Sequence, residues 1–418
     1  MMRRPGVSTW LAACLFLIVL PLTPGLTSDF TRSLLTQMEI AAVFALSYQL
    51  LLGQTGLLSF GHAVYFGLGG YAAIHLLRAV NDGLALPVPL VPLGGAIAGL
   101  AFGCVFGALT TRRAGTIFAL ISLGVGELVH AASLMLPAFF GGEEGVTASR
   151  TRAPPLFGLD FSSQLQVYYV SAFWLLASVL ALRAFLRTPV GRLCNAVRDN
   201  PERVEFIGYN PQSIRFIAFS VAATLAGLAG GLHAINSEIV AAEAVSATRS
   251  GVVLLMVYIG GARDLAGAIL GAVVITWLQV SLSDYTSAWL LYLGVFFMLV
   301  VLYLPGGLAG FAAMHVPLLR ARRFSPILRA YVAMLPAGLV AALGIVALIE
   351  MAYRRSTQPE SGTRMKLFGI FLETATPWPW LGAALVAAAG VLLLRWAWPG
   401  ARAAWGDAID SARAQEAR

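Results

Sequence analysis

Apolar stretches of about twenty residues recur along this chain with only short polar breaks between them, the length a helix needs to cross a hydrocarbon core of about 30 Å. A backbone in hydrocarbon must satisfy its own N–H and C=O groups, and a helix does so within one segment. Composition agrees: of 418 residues, 58% are apolar and 11% charged, against roughly 25% charged in a soluble domain. Length alone would allow about two or three soluble domains, but 28 basic and 20 acidic residues are too few to keep them soluble. Soluble enzyme folds, nucleic-acid modules and disordered regulators are therefore excluded. The expected fold is an all-α polytopic membrane protein.

Ten spans are expected in the first 305 residues, near 9–27, 34–52, 56–77, 86–109, 115–138, 167–186, 214–236, 251–261, 265–282 and 288–304. The eighth is too short to cross alone and is expected to be re-entrant or half of a broken pair. Two further spans are expected near 327–350 and 381–398. The net charge of +8 reads as loop asymmetry, because basic residues collect in cytoplasmic loops. With the N-terminus inside, Arg3, Arg4, Arg112, Arg113 and the loop after the sixth span all fall in the cytoplasm. All basic residues but Lys366 are arginine, which reflects genomic composition. Arg3 and Arg4 followed by the run Trp10–Leu20 have the shape of a signal peptide. No A-x-A-like site follows, and Pro21 and Pro24 stand where the helix would end, so an uncleaved span is expected. Cys14, Cys104 and Cys194 are scattered and form no CxxC pair, and the five histidines form no metal set. Neither a cofactor nor a metal is expected.

The longest external loop covers residues 141–166, and the longest internal one covers 187–213. The internal loop begins RTPVGRLCNAVRDNPERVEFIGYN, with Arg187, Arg192, Arg198, Arg203 and Arg215 interleaved with Asp199, Glu202 and Glu205. Asp199 and Arg203 have the i,i+4 spacing of a pair on one helix, and Gly208 with Asn210-Pro211 marks a stop. An amphipathic helix pair on the cytoplasmic face fits this pattern. On charge alone, a solvated loop obeying the positive-inside rule fits better.

Order and spacing add a resemblance. Pro189-Val190-Gly191-Arg192, then Ala196-Val197-Arg198-Asp199-Asn200, then Gly208-Tyr209-Asn210, resemble the coupling loop of the branched-chain amino acid (Liv-type) ABC transporter permeases. FIAFSVAATLAGLAGGLHA (216–234) is similar to the small-residue span that follows that loop. LLGQTGLLSFGHAVYFGLGGYAA (51–73), RAGTIFALISLGVGELVHAA (113–132), LLMVYIGGARDLAGAILGA (254–272) and YLPGGLAGF (303–311) resemble further family blocks in collinear order. The resemblance implies a permease domain over 1–311, with a coupling loop at about 187–213 whose site residues are Gly191, Arg192, Ala196, Arg198, Asp199, Asn200 and Gly208. It implies a second permease subunit, two cytoplasmic ATP-binding subunits, a soluble external substrate-binding protein and a place in a bacterial inner membrane. ATP would be bound by those partners, and the chain itself has no GxxxxGK[ST] phosphate loop. Pro201 and Val204-Glu205-Phe206 depart from the more acidic, alanine-rich second half usual in the family. Residues 312–418 lie outside the resemblance, an extension with two spans and a cytoplasmic tail.

Polar groups within spans are expensive and mark function by default. Glu127 lies near the middle of the fifth span with His130 one turn later; the two read first as a structural pair and next as part of a path. Gln54, Ser59 and His62 lie in a glycine-rich segment, and Gly260 and Gly261 precede Arg263-Asp264. Such interruptions read as broken helices along a substrate path or as close helix packing. Two other classes remain open at this point: an ion- or proton-coupled secondary transporter using Glu127 with His130, and a non-transporting membrane scaffold. Glu127→Ala is expected to reduce substrate-stimulated transport more than assembly with the ATPase; equal loss of both in reconstitution would favour a structural pair.

Overall fold

A computed structural model describes residues 15–23, 28–153, 155, 160–304, 306–320, 324–357, 364–367 and 370–416. Capping side chains set where several helices begin. Ser28, Ser163, Asn210 and Ser246 accept hydrogen bonds from the backbone N–H groups of Thr31, Leu165, Gln212 and Arg249, each satisfying a donor that the first helical turn leaves open. The helices are α1 (Asp29–Gln49), α2 (Ala63–Asn81), α3 (Val91–Thr110), α4 (Gly115–Met135) and α5 (Gln164–Arg187). They continue as α6 (Pro189–Asp199), α7 (Pro201–Phe206), α8 (Pro211–Ser237), α9 (Ala247–Gly260), α10 (Leu265–Tyr285) and α11 (Trp289–Tyr303). Last come α12 (Gly307–Arg320), α13 (Phe324–Thr357) and α14 (Pro377–Glu416).

Among the described residues, nine helices are long and apolar enough to cross a bilayer. Trp289–Tyr303 with Gly307–His315, bent by 48°, makes a tenth. The expected span 9–27 lies mostly outside the described residues; within it Leu15–Val19 is helical. The expected break between 52 and 56 is wider and later: α1 continues as a π-helical turn to Thr55, and helix resumes only at Ala63. The expected eighth span is α9, with 14 residues too short to cross alone.

α8 is the centre of the bundle. Gly95 and Gly99 of α3 and Gly69 of α2 all face Gly227 of α8. A Cβ added to Gly227 would lie 2.2 Å from the Gly95 carbonyl oxygen, and one added to Gly99 would lie 2.3 Å from that of Ala223. Between membrane helices no hydrophobic force operates, so backbones that approach this closely supply the dispersion and carbonyl contacts that hold them.

At one end of the bundle, β1 (Val146–Thr147) pairs with β2 (Ile239–Val240). Arg150 locks this end. Its guanidinium donates to the Phe161 carbonyl at 3.0 Å, the Ile235 carbonyl at 3.0 Å, the Asn236 carbonyl at 3.1 Å and Gln164 Oε1 at 3.2 Å. A buried cation thus caps the open carbonyls where α8 ends, the pole of the helix that favours positive charge.

The chain divides into two compact units, residues 1–285 with 293–310, and 286–292 with 311–418. In the second, α13 and α14 run antiparallel, with Gly390 against Ala341 and Gly344 against Ala383 and Ala387. A hairpin of β3 (Arg364–Leu367) and β4 (Ile370–Glu373) joins them. The Tyr292 hydroxyl donates to Glu350 at 2.8 Å within this unit.

Candidate functional site: two interrupted helices and a docked amphipathic pair

After the π-turn, Gly56 (φ +71°) reverses the chain, and residues 57–62 climb back into the bundle without helix. Side chains satisfy this irregular backbone. Tyr48 donates to the Ser59 carbonyl, and the Phe60 and Ala63 N–H groups donate to Ser122 and Ser250, each at 3.0 Å. Gly61 lies against the Ser122 carbonyl and close to the Gly126 nitrogen, so α2 begins level with the middle of α4.

A second interruption mirrors it. α8 ends at Ser237 at the β1–β2 end, and residues 238–246 turn back inward through a 3-10 turn at Ala242–Val245. Val245 presses on Gly67 of α2, and His130 of α4 bonds the Ala242 carbonyl at 3.2 Å. α9 therefore starts deep within the bundle, with Ser250 holding the first N–H of α2. The N-termini of α2 and α9 meet there, and each is the positive pole of its helix. Irregular backbone at membrane depth occurs where protein or a water-filled cavity surrounds it, and paired interruptions of this kind point to a binding site.

The residues singled out in the sequence fall into two groups. Ser59, His62, Glu127 and His130 lie at this depth. His62 is fully buried between Phe44 and Tyr48, and its Nε2 bonds Ser47 Oγ at 2.8 Å. Glu127 is exposed on the outer side of α4, in line with Leu120, Leu128 and Leu134. A carboxylate at the bilayer centre costs about 2.5–3.5 kcal/mol on insertion scales, so this face needs water or a second protein against it. Gln54, Gly260 and Gly261 lie instead at the end that carries α6 and α7. Gly53 touches the Ala262 carbonyl, Gln49 Nε2 donates to that oxygen at 3.1 Å, and Gly261 (φ +116°) packs on Gly306. The two glycine-rich interruptions seen in the sequence thus meet at the α6–α7 end. The partner of the 57–62 segment at mid-depth is 238–246, which hydropathy alone reads as a simple external loop. Hydropathy misses Arg249 and Ser250 with it; charge and hydroxyls within one turn of an unusually short span are the available signal.

α6 and α7 form the amphipathic pair. Thr188 caps α6 and Asn200 caps α7, with Pro189 and Pro201 following each cap. Cys194, Val197 and Val204 pack with Ile214 and Ala218 of α8, and Gly191 fits against the Phe185 carbonyl. Burial pushes the Cys194 thiol up to about 11, which makes it inert at neutral pH. Asp199 pairs with the adjacent Arg198 at 3.0 Å, a correction to the expected pairing with Arg203. The helix ends at Asp199, and Asn200 in extended conformation breaks the i,i+4 register. Arg198 also donates from Nη1 to the Gly53 carbonyl and packs on Gly56. Arg192 and Ala196 lie on the outer and flanking sides of α6, and Gly208 (φ +88°) closes α7. At and just after the end of α7, Phe206 is 89% exposed, Ile207 64% and Tyr209 51%.

An all-helical bundle with interrupted helices at its centre and an amphipathic pair on one end defines a multi-pass membrane permease. The chain belongs to the family described as the permease component of the branched-chain amino acid transport system, which it matches over residues 30–305. It is 27% identical over 315 residues to the high-affinity branched-chain amino acid transport system permease protein LivM of Salmonella typhimurium, covering 70% of this chain and 73% of that protein. Over 308 residues it is 27% identical to LivM of Escherichia coli K12, covering 68% and 71%. LivH of Salmonella typhimurium is 24% identical over 299 residues, covering 64% of this chain and 91% of its own length. No solved structure matches.

Proposed function

We propose that this chain is one membrane subunit of an ATP-driven importer for branched-chain amino acids, set in the bacterial inner membrane with its N-terminus in the cytoplasm. It would pair with a second permease through the face of α4 that carries Glu127. Two cytoplasmic ATP-binding subunits would supply the energy, so that nucleotide is bound outside this chain. A soluble external binding protein would deliver solute at the β1–β2 end, where a cleft of about 460 Å³ is lined by Arg78, Asp82, Arg152 and Glu238.

The observation that carries this reading is the tip of α7. Phe206, Ile207 and Tyr209 project beyond the bundle at the end where basic residues gather. Three large side chains exposed within four residues, outside the core, fit a groove on a partner protein. α6 and α7 would carry the closure of the ATPase pair to the bundle through residues 191–210. The exposed carboxylate of Glu127 supports the second permease, which would cover it or enclose it in a water-filled path. Residues 1–311 would form the transporting domain and 312–418 an added module. Family membership disfavours the secondary transporter and the scaffold.

Phe206→Asp tests the docking. Affinity purification of the co-expressed subunits is expected to retain the second permease and to lose most of the ATP-binding subunits, with ATP-driven uptake falling in parallel. Full retention of the ATP-binding subunits by this variant would sink the assignment of α7 as the docking element.

A further inference from the structure

We propose that Arg249 holds the carboxylate of the transported amino acid at the point where α2 and α9 begin. The inference rests on the importer reading and adds a binding site to it.

Arg249 lies in the first turn of α9, one residue from the Ser250 hydroxyl that caps α2. Its guanidinium carbon sits 4.5 Å from the centre of the Phe66 ring. The side chain is half-buried, and its guanidinium meets no hydrogen-bond acceptor or ion-pair partner among the described residues. An arginine at membrane depth is costly unless an anion meets it. Stacking on Phe66 orients the planar group, and its five N–H donors form a fork that matches a carboxylate in two parallel bonds. Arg150 shows the contrast within the same chain, since its donors are taken by four acceptors.

Two further observations point to an anion here, and a third to the cation beside it. The N-terminal poles of α2 and α9 meet at this level and add positive potential. His62 Nδ1 and Ser59 Oγ, on the segment that leads into α2, are buried without a hydrogen-bond partner among the described residues. Glu243 is exposed on the inward-turning segment and within electrostatic reach of Arg249; it suits the ammonium of a zwitterion. His130, from the neighbouring α4, is fixed on the Ala242 carbonyl of that same segment. A solute with adjacent carboxylate and ammonium groups complements this pair of charges, whereas its aliphatic side chain needs only apolar surface.

The test uses the complete importer, reconstituted with its binding protein and ATP, and labelled leucine as the probe. Arg249→Gln is expected to leave subunit assembly and binding-protein docking intact while uptake falls at least about tenfold, the loss of roughly one charge-assisted bond. Arg249→Lys, which keeps the charge without the fork, is expected to fall between the two and serves alone if the glutamine variant does not assemble. Unchanged uptake in either assembled variant overturns the proposal. So does loss of the permease pair in both, which would place a partner's carboxylate, rather than the solute's, on Arg249. Absence of ATP-driven leucine uptake by the wild-type complex overturns the importer reading itself, a result separate from any effect of the substitutions.

Discussion

Arg198→Ala is expected to give an importer that assembles and hydrolyses ATP but takes up solute at least about tenfold more slowly per ATP consumed. Arg198 belongs to α6, yet its guanidinium donates to the Gly53 carbonyl at the foot of α1 and its stem packs on Gly56. A charge-assisted bond of this kind contributes about 1.5–3 kcal/mol, enough to make α6 and the π-turn move together. From Gly56 the chain runs directly to the segment held by Ser122 of α4 and Ser250 of α9. Displacement of α6 by a closing ATPase would therefore reach the mid-depth site along one covalent stretch of seven residues, 56–62. Alanine removes the bond and the packing while sparing Phe206, Ile207 and the caps that hold α7. Measuring uptake and phosphate release in the same proteoliposomes gives the ratio. An unchanged ratio would show that force enters the bundle elsewhere, with the α6–α8 packing at Cys194 and Ile214 the next place to look.

Gly227→Val is expected to abolish accumulation of folded protein. Two helices approach this one residue of α8: a Cβ there would meet the Gly95 carbonyl oxygen at 2.2 Å and the Gly99 Cα at 2.8 Å, both on α3, and Gly69 faces the same point from α2. These neighbours are backbone atoms of rigid helices, so no side-chain rotation relieves the clash. Overpacking in a tight core ordinarily costs about 1–3 kcal/mol; here α3 and α2 would have to separate from α8 along their length, forfeiting contacts at Gly103, Gly230 and Gly231 as well. Gly124, by contrast, has open space around its Cβ position, and Gly124→Ala is the control for a glycine of the same bundle. Yield of monodisperse protein in mild detergent is the readout. Normal yield for Gly227→Val would mean that the three-helix junction is looser than this packing requires.

Glycine shows most plainly where the sequence stops being legible. The runs around 53–61, 67–70, 227–231 and 260–261 look alike in one dimension, small residues in an apolar context. In three dimensions they do different things. Gly227 and Gly230 let helices touch, Gly56 reverses the chain, Gly53 lets the foot of α1 meet the Ala262 carbonyl after α9, and Gly261 packs on Gly306. Periodicity cannot separate these uses, because each needs only the absence of a Cβ. The amphipathic pair was more legible, since Thr188-Pro189 and Asn200-Pro201 are local capping signals. The Asp199–Arg203 spacing misled because Asn200 ends one helix between its two members.

Hydropathy and charge by themselves determined the helical class, most of the spans and the charged, amphipathic character of the segment that forms α6 and α7. Those properties follow from transfer free energies and hydrogen-bond needs that each segment carries alone. Only the tertiary structure decided that residues 238–246 turn inward to meet 57–62, that Glu127 looks outward from α4, and that Arg249 stands over Phe66 with no ion-pair partner among the described residues. Such facts depend on which backbones can approach one another and on what remains uncovered once they have. No single segment holds that information.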